Sequence, residues 1–250
     1  QAALAHGLKA NARFDAGRAA LRIALQATAA ATSPLFQAIP QRQSTRAEYD
    51  GKALGAAELR QLEQAAAGAG VQLMLLTDKA VLERVLEFVV QGNTAQMNDK
   101  AFVDELKAWI RFNGSDAVRT GDGLYGASSG NPTLPSWLGP LMFDLVFKAK
   151  SENDKYARHV RSSAGIAVFV GPGNDKAGWI EVGRAYERFA LQATALGVRT
   201  AHLNQPVEVA ALRPQFANLL GIGGQRPDLV IRFGRGPTLP PSLRRPLPSV

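Results

Sequence analysis

Apolar positions fall into runs that alternate between helical and strand spacing along the chain. Leu21, Ile23 and Leu25, with Ala24 among alanines, predict a helix from Asp15 to Ala31. Pro34 and Pro40 bracket one turn of helix holding Leu35, Phe36 and Ile39, and the polar stretch from Gln41 to Gly51 is expected to be extended or looped. A helix is expected from Ala56 to Gly68, stopped by the Gly68–Gly70 glycines. Val71 to Leu76 has strand length. Val81, Leu82, Val85, Leu86 and Val89 share one helical face between Asp78 and Val90, and Phe102, Val103, Leu106, Trp109 and Ile110 do so between Asp99 and Phe112.

Residues 113–140 break this rhythm. The stretch is rich in glycine and proline yet carries Tyr125 and Trp137, so it reads as an ordered lid or arm rather than a linker. Beyond it come a short helix over Leu138–Lys150 and a buried-type strand over Gly165–Val170. The strongest helix runs from Trp179 to Leu196, with Val182, Ala185, Phe189, Ala193 and Leu196 at helical spacing. Strands at Val198–Leu203 and Leu229–Phe233 enclose a helix at Val209–Leu219, and the chain from Gly234 on is Pro- and Arg-rich and expected to be extended. No short-period repeat is present. Strands separated by long helices predict an α/β (α+β) fold, helix-rich layers around a small sheet of four or five strands, in a single domain over residues 1–250.

Composition narrows the chemistry. The 250 residues are 46% hydrophobic but only 7% aromatic, which calls for a core of helices packed closely on small side chains. No cysteine is present, so disulfides, thiolate metal sites and a cysteine nucleophile are excluded. A formal charge of +8 favours anionic partners. The basic residues are scattered among acids except at Arg232, Arg235, Arg244 and Arg245, and no basic stripe interleaved with aromatics points to nucleic acid. No apolar run approaches membrane-spanning length, and Gln1 opens directly into an alanine-rich segment rather than a signal-peptide pattern.

Two arginine segments are candidates for holding an anion. In Arg42-Gln43-Ser44-Thr45-Arg46, alternate residues of an extended strand point the same way, so Arg42, Ser44 and Arg46 can converge on one oxyanion. The plainer alternative is a solvated polar linker. In Leu239-Pro240-Pro241-Ser242-Leu243-Arg244-Arg245, the prolines stiffen a backbone that presents paired arginines; its alternative is a basic tail without a ligand. Gly126-Ala127-Ser128-Ser129-Gly130 spells a nucleophile elbow, but Asn131, Pro132 and Pro135 follow where a helix must begin, so a serine hydrolase is not expected. His6, His159 and His202 have no paired metal-ligand spacing. His202 stands at a strand end before Asn204 and Gln205, a position equally suited to an ordinary structural histidine. Gly221-Ile222-Gly223-Gly224 reads as a helix cap and turn.

In this order, the segments resemble the nitroreductase superfamily over residues 35–246. Ala38 to Arg46 looks like its N-terminal Arg-x-Ser-x-Arg phosphate segment, Gly183 to Gly197 like its long central helix, and His202 to Val209 like the strand end beside the flavin ring. Asp228 to Arg235 looks like the last strand, and the tail arginines like the second phosphate segment. Trp109-Ile110-Arg111 and Asp122-Gly123-Leu124 look more like the Acg-type branch, built as two fused units with a lid. The resemblance implies noncovalent FMN, with Arg42, Gln43, Ser44, Arg46 and Arg244 or Arg245 at the phosphate and Leu203, Asn204 and Gln205 at the ring. It implies hydride transfer from NAD(P)H to an acceptor, and a homodimer where a second unit is not covalently present. The alternative activity is a lidded flavin holder with little turnover. One motif of that branch, a Pro-Ser-x-x-Asn-x-Gln-Pro-Trp-like segment that helps build the ring pocket, has no match here.

Overall fold

A computed structural model describes residues 1–242 and Arg245. Helix α1 (Ala2–Ala5) leads into an antiparallel hairpin of β1 (Leu8–Asp15) and β2 (Ala20–Ala27). Then follow α2 (Pro34–Ala38), α3 (Ala56–Ala66), β3 (Gln72–Leu76), α4 (Lys79–Asn98) and α5 (Lys100–Trp109). The helix expected from Asp99 to Phe112 gives way to β4 (Ile110–Arg111), and the segment expected to be a lid carries α6 (Gly114–Thr120), β5 (Leu124–Tyr125) and a 3-10 turn over Gly126–Ser129. Next are α7 (Gly139–Val146), α8 (Ala149–Arg161), β6 (Gly165–Val170), α9 (Lys176–Ala195) and β7 (Arg199–His202). The chain ends with α10 (Gln205–Glu208), α11 (Arg213–Leu219) and β8 (Pro227–Gly234).

The central sheet has the order β3-β6-β8-β7, every neighbour antiparallel, with one parallel bridge from Ser44 to Thr200 added at the β7 edge. All six residues of β6 are buried, which is why its sequence is an unbroken apolar run. Its alternation divides the core in two. Ile166, Val168 and Val170, with Val230 of β8, meet Leu82, Val85 and Val89 of α4 and Phe216 of α11. Ala167 and Phe169, with Ile231 and Phe233, meet Leu62 of α3 and Val182, Ala185, Phe189 and Ala193 of α9. Fully buried side chains such as Phe169 and Phe189 each contribute about 1.5–3 kcal/mol of apolar transfer. Alanines on α9 let it lie close to the sheet, and Arg188 closes the C-terminal end of α3 by donating to the carbonyls of Ala65, Ala66 and Ala67 at 2.8, 3.1 and 3.1 Å.

Several expectations are corrected. The helix over residues 15–31 is a hairpin: Leu21, Ile23 and Leu25 are spaced by two, the strand period, and alanine's helix propensity does not override it. Cross-strand pairs Ala10↔Leu25, Ala12↔Ile23 and Phe14↔Leu21 form one apolar face, and Leu21, Ile23 and Leu25 stay exposed. Helix α4 runs eight residues past Val90, to Asn98. The helix over Val209–Leu219 is replaced by α10 and α11, each opened by a proline in its first turn. Helix α8 lies where none is expected from the pattern, because its mostly polar surface masks the periodicity. Gly221 does take the left-handed cap conformation, with φ of 70°.

Candidate functional site

The segment after α2 is fixed by the sheet. Ser33 caps α2 by accepting from the Phe36 amide at 3.3 Å, and the Arg42 amide closes the end on the Ala38 carbonyl at 2.9 Å. The chain then extends along the β7 edge, where the Thr45 amide donates to the Thr200 carbonyl at 2.9 Å. Arg232 holds it from below. On the alternation of β8 this residue shares the face of Val230, so its guanidinium enters the core and is 1% exposed. One of its terminal nitrogens donates to the carbonyls of Thr45 at 3.1 Å and Ala47 at 2.8 Å, and the other to that of His159 at 3.4 Å. It lies over the buried ring of Tyr49, 4.1 Å from its centroid. Burial pushes the Tyr49 phenol up to about 12, against the opposing pull of Arg232.

Arg42 and Arg46 leave this segment on either side of Ser44. Arg42 pairs with Glu187 of α9 at 3.1 Å, and Arg46 donates to the Ser129 hydroxyl of the lid at 3.1 Å. Between them the Ser44 hydroxyl is buried with no partner among the described residues, and so is the hydroxyl of Tyr186. The Tyr186 ring meets that of His202 at 5.1 Å. Burial, then the charges of Arg46 and Arg42, hold His202 below the ordinary histidine range, so both arginines project their field onto one imidazole. Gln43 turns away: its side-chain amide donates to the Leu239 carbonyl and accepts from the Leu239 amide, both at 3.1 Å, which ties the tail to this edge. Arg245 donates to the Gly121 carbonyl at the end of α6 at 2.6 Å. Arg244 lies outside the described residues.

The second expected group sits where β7 ends. The Leu203 amide donates to the Val230 carbonyl at 2.8 Å, and the Val230 amide donates to the Asn204 side chain at 3.0 Å. Asn204 therefore faces the β8 backbone. Gln205 is buried; its backbone carbonyl accepts from the Val209 amide at 3.2 Å, and its side-chain oxygen Oε1 has no hydrogen-bond partner among the described residues. A cavity of about 230 Å³ opens here, lined by Arg46, Leu203 and Gln205 together with His159, His202 and Arg232. The structure thus brings three of the expected residues to this cavity, while Arg42, Gln43, Ser44, Asn204 and Arg245 are outside its lining. His159 is pushed down to about 3, first by burial and then by Arg232, Lys155 and Arg158, so it faces the cavity as a neutral imidazole.

Arg232, Tyr49 and Tyr186 escape the sequence reading as site residues. For Arg232 a signal exists: a lone charge inside the apolar run Leu229–Phe233 is costly to bury unless the fold gives it partners. The Gly126–Gly130 stretch forms a 3-10 turn, and Ser129 in it serves as an acceptor for Arg46. Among the described residues no group of three His, Asp or Glu side chains is placed to hold a metal ion, and no helix is long and apolar enough to cross a membrane.

No protein-family model matches the chain. Two curated proteins from Mycobacterium tuberculosis, strains CDC 1551 / Oshkosh and ATCC 25618 / H37Rv, both named "Putative NAD(P)H nitroreductase", are 26% identical over 227 residues. The match takes in 86% of this chain, and the chain spans 61% of the length of those relatives. Among solved structures, a nitroreductase with bound FMN from Desulfitobacterium hafniense superposes with a TM-score of 0.54 at 13% identity, covering 88% of this chain and 98% of that one. An FMN-dependent nitroreductase from Mycobacterium smegmatis in complex with NADPH gives 0.52 at 12% identity, covering 81% and 87%. The mixed α+β architecture is thus that of the nitroreductase fold, and the chain is similar to the curated nitroreductases over most of its own length.

Proposed function

We propose that this chain is an FMN-binding oxidoreductase of nitroreductase type, which passes hydride from NAD(P)H to an acceptor. The observation that carries this reading is the buried, unpartnered Ser44 hydroxyl flanked by Arg42 and Arg46, beside a cavity ending at Leu203 and Gln205. A phosphate suits this edge: Arg42 and Arg46 offer forked donors and Ser44 a hydroxyl. The unpartnered Gln205 side-chain oxygen Oε1 suits an N–H on a flavin ring edge, and Leu203 a ring face. Flavin, when bound, would supply the hydride-carrying chemistry. The protein's part is to orient it, to exclude water with the 113–140 lid, and to keep His159 and His202 neutral, so that positive charge near the ring comes from arginines and Lys155.

The Acg-type assignment belongs to this reading, supported by the folded lid and by the greater length of the curated relatives. So does a homodimer, supported by the uncovered apolar face of the β1–β2 hairpin. A second reading, a flavin holder with little turnover, is favoured by the Arg46–Ser129 hydrogen bond that fastens the lid at the cavity rim. Titration with FMN and with riboflavin, which lacks the phosphate, tests the site: FMN is expected to bind at least tenfold more tightly, and equal affinities would refute a phosphate role for the arginines. Anaerobic mixing of FMN-loaded protein with NADPH then separates the two activities. Rapid bleaching of the flavin colour identifies the oxidoreductase, and persistent colour with both NADPH and NADH the holder.

A further inference from the structure

The cavity beside Arg46 leads into a second chamber. That chamber measures about 220 Å³, is lined by Phe112, Leu134, Met142, Phe143, Val146 and Phe147, and is half open to solvent, with Val146 56% exposed at its rim. The two share Ile110, Gly126, Asn131, Phe147, Glu152 and Lys155 in their walls, so one opens onto the other. The aromatic wall is braced. Phe143 stacks on Phe147 at 4.3 Å and meets the edge of Phe112 at 6.5 Å. Gly139 lies so tightly against Phe112 that an added Cβ would come within 2.3 Å of its ring. The space is therefore held open by packing around it. An apolar wall of this extent left facing solvent gains transfer free energy and dispersion contacts when a ligand covers it.

The neck between the two chambers has a different character. Glu152 and Lys155 pair there at 2.7 Å, with Asn131 beside them. The neck thus offers donors and an acceptor but no net charge. An anionic head would meet Glu152, and a cationic one Lys155. An uncharged hydroxyl or carbonyl satisfies the neck without breaking the pair. The strongly cationic groups, Arg46 and Arg232, line the first cavity and not the second.

We propose that the second chamber is a subsite for the unbranched apolar tail of an amphiphile with an uncharged polar head, the tail lying among Phe112, Met142 and Phe143 and the head at the Glu152–Lys155 neck. That this amphiphile is the electron acceptor rests on the flavin reading; that the chamber takes an alkyl tail does not. The chamber lies beyond every residue expected to bind FMN, so both ligands have room.

The test is calorimetric titration of the protein, with and without FMN, against n-alkanols from butanol to decanol. Each added methylene is expected to tighten binding about fourfold until the chamber is full, with a negative heat-capacity change. Carboxylates of equal chain length are expected to bind at least tenfold more weakly. Met142→Lys is expected to abolish the chain-length dependence while FMN uptake, read by flavin absorbance, stays unchanged. Met142→Gln, close in volume, serves if the lysine variant misfolds, and is expected to lower the factor per methylene to twofold or less. Affinity independent of chain length, or decanol binding to Met142→Gln as tight as to the parent, overturns the proposal. Failure of FMN to bind would instead sink the flavin reading, and the alkanol series on flavin-free protein still decides the tail subsite.

Discussion

Arg232 and Tyr49 converge on a single atom. The carbonyl oxygen of Thr45 accepts from the Arg232 guanidinium at 3.1 Å and from the Tyr49 hydroxyl at 3.0 Å, while the guanidinium lies over the same tyrosine's ring. No carboxylate pairs with Arg232 among the described residues; three backbone carbonyls and a ring face stand in for one. Replacing it with Met takes the donor from the Ala47 carbonyl, while Thr45 keeps the Tyr49 hydroxyl and His159 the hydroxyls of Ser162 and Ser163. Arg232→Met is expected to cost about 1–3 kcal/mol in urea unfolding. In protein that still folds, FMN affinity should fall at least tenfold because Ser44 and Arg46 lose their support. Arg232→Lys keeps the charge without the fork and should recover only part of both.

The phosphate assignment makes a selective prediction. Arg42→Ala and Arg46→Ala are each expected to weaken FMN binding by about ten- to a hundredfold, the range for a hydrogen bond to a charged group, while riboflavin affinity changes little. Equal losses for both ligands would mean that the arginines shape the pocket without touching a phosphate.

His159 gives the fold a pH dependence with a definite sign. Its imidazole is held near 3 in the folded protein against 6.5 ordinarily. Between these values the unfolded chain binds a proton that the folded one refuses. Stability from this group is therefore complete above pH 6.5 and is lost as pH falls toward 3, with a slope approaching about 1.4 kcal/mol per pH unit. His159→Gln should flatten that part of the stability profile measured by denaturant titration.

Gly92 sets how closely α4 approaches Gln205 of α10. An added Cβ would stand 2.7 Å from the Gln205 Cβ and 2.8 Å from its backbone carbonyl atoms. Alanine in a helix interior ordinarily gains about 1 kcal/mol over glycine. Here Gly92→Ala is expected to destabilise by about 1–3 kcal/mol, since α10 must move away. A variant more stable than the parent would show that α10 yields freely and does not fix Gln205.

What the sequence reveals here follows the range of the interactions. The apolar runs Gly165–Val170 and Leu229–Phe233 and the face of α9 are written in local spacing, and the central sheet and its helices follow from them. The hairpin misleads because alanine suits helices while the two-residue period of Leu21, Ile23 and Leu25 demands strands. The arginine segment can be read as an anion site, but not its bracing. Nothing in residues 42–46 announces that Arg232 carries them, or that Gln43 faces the tail rather than a ligand. Pairings of that kind are set only when distant strands meet.

The Gln43–Leu239 pair spans 196 positions, the Arg232–Thr45 contact 187 and the Arg46–Ser129 contact 83. Closing such long loops costs chain entropy before any contact repays it. The arginine-lined edge is accordingly among the last parts of the molecule to assemble during folding. A refolding experiment should regain helical circular dichroism first and the capacity to take up FMN afterwards, making cofactor binding a reporter of the finished chain.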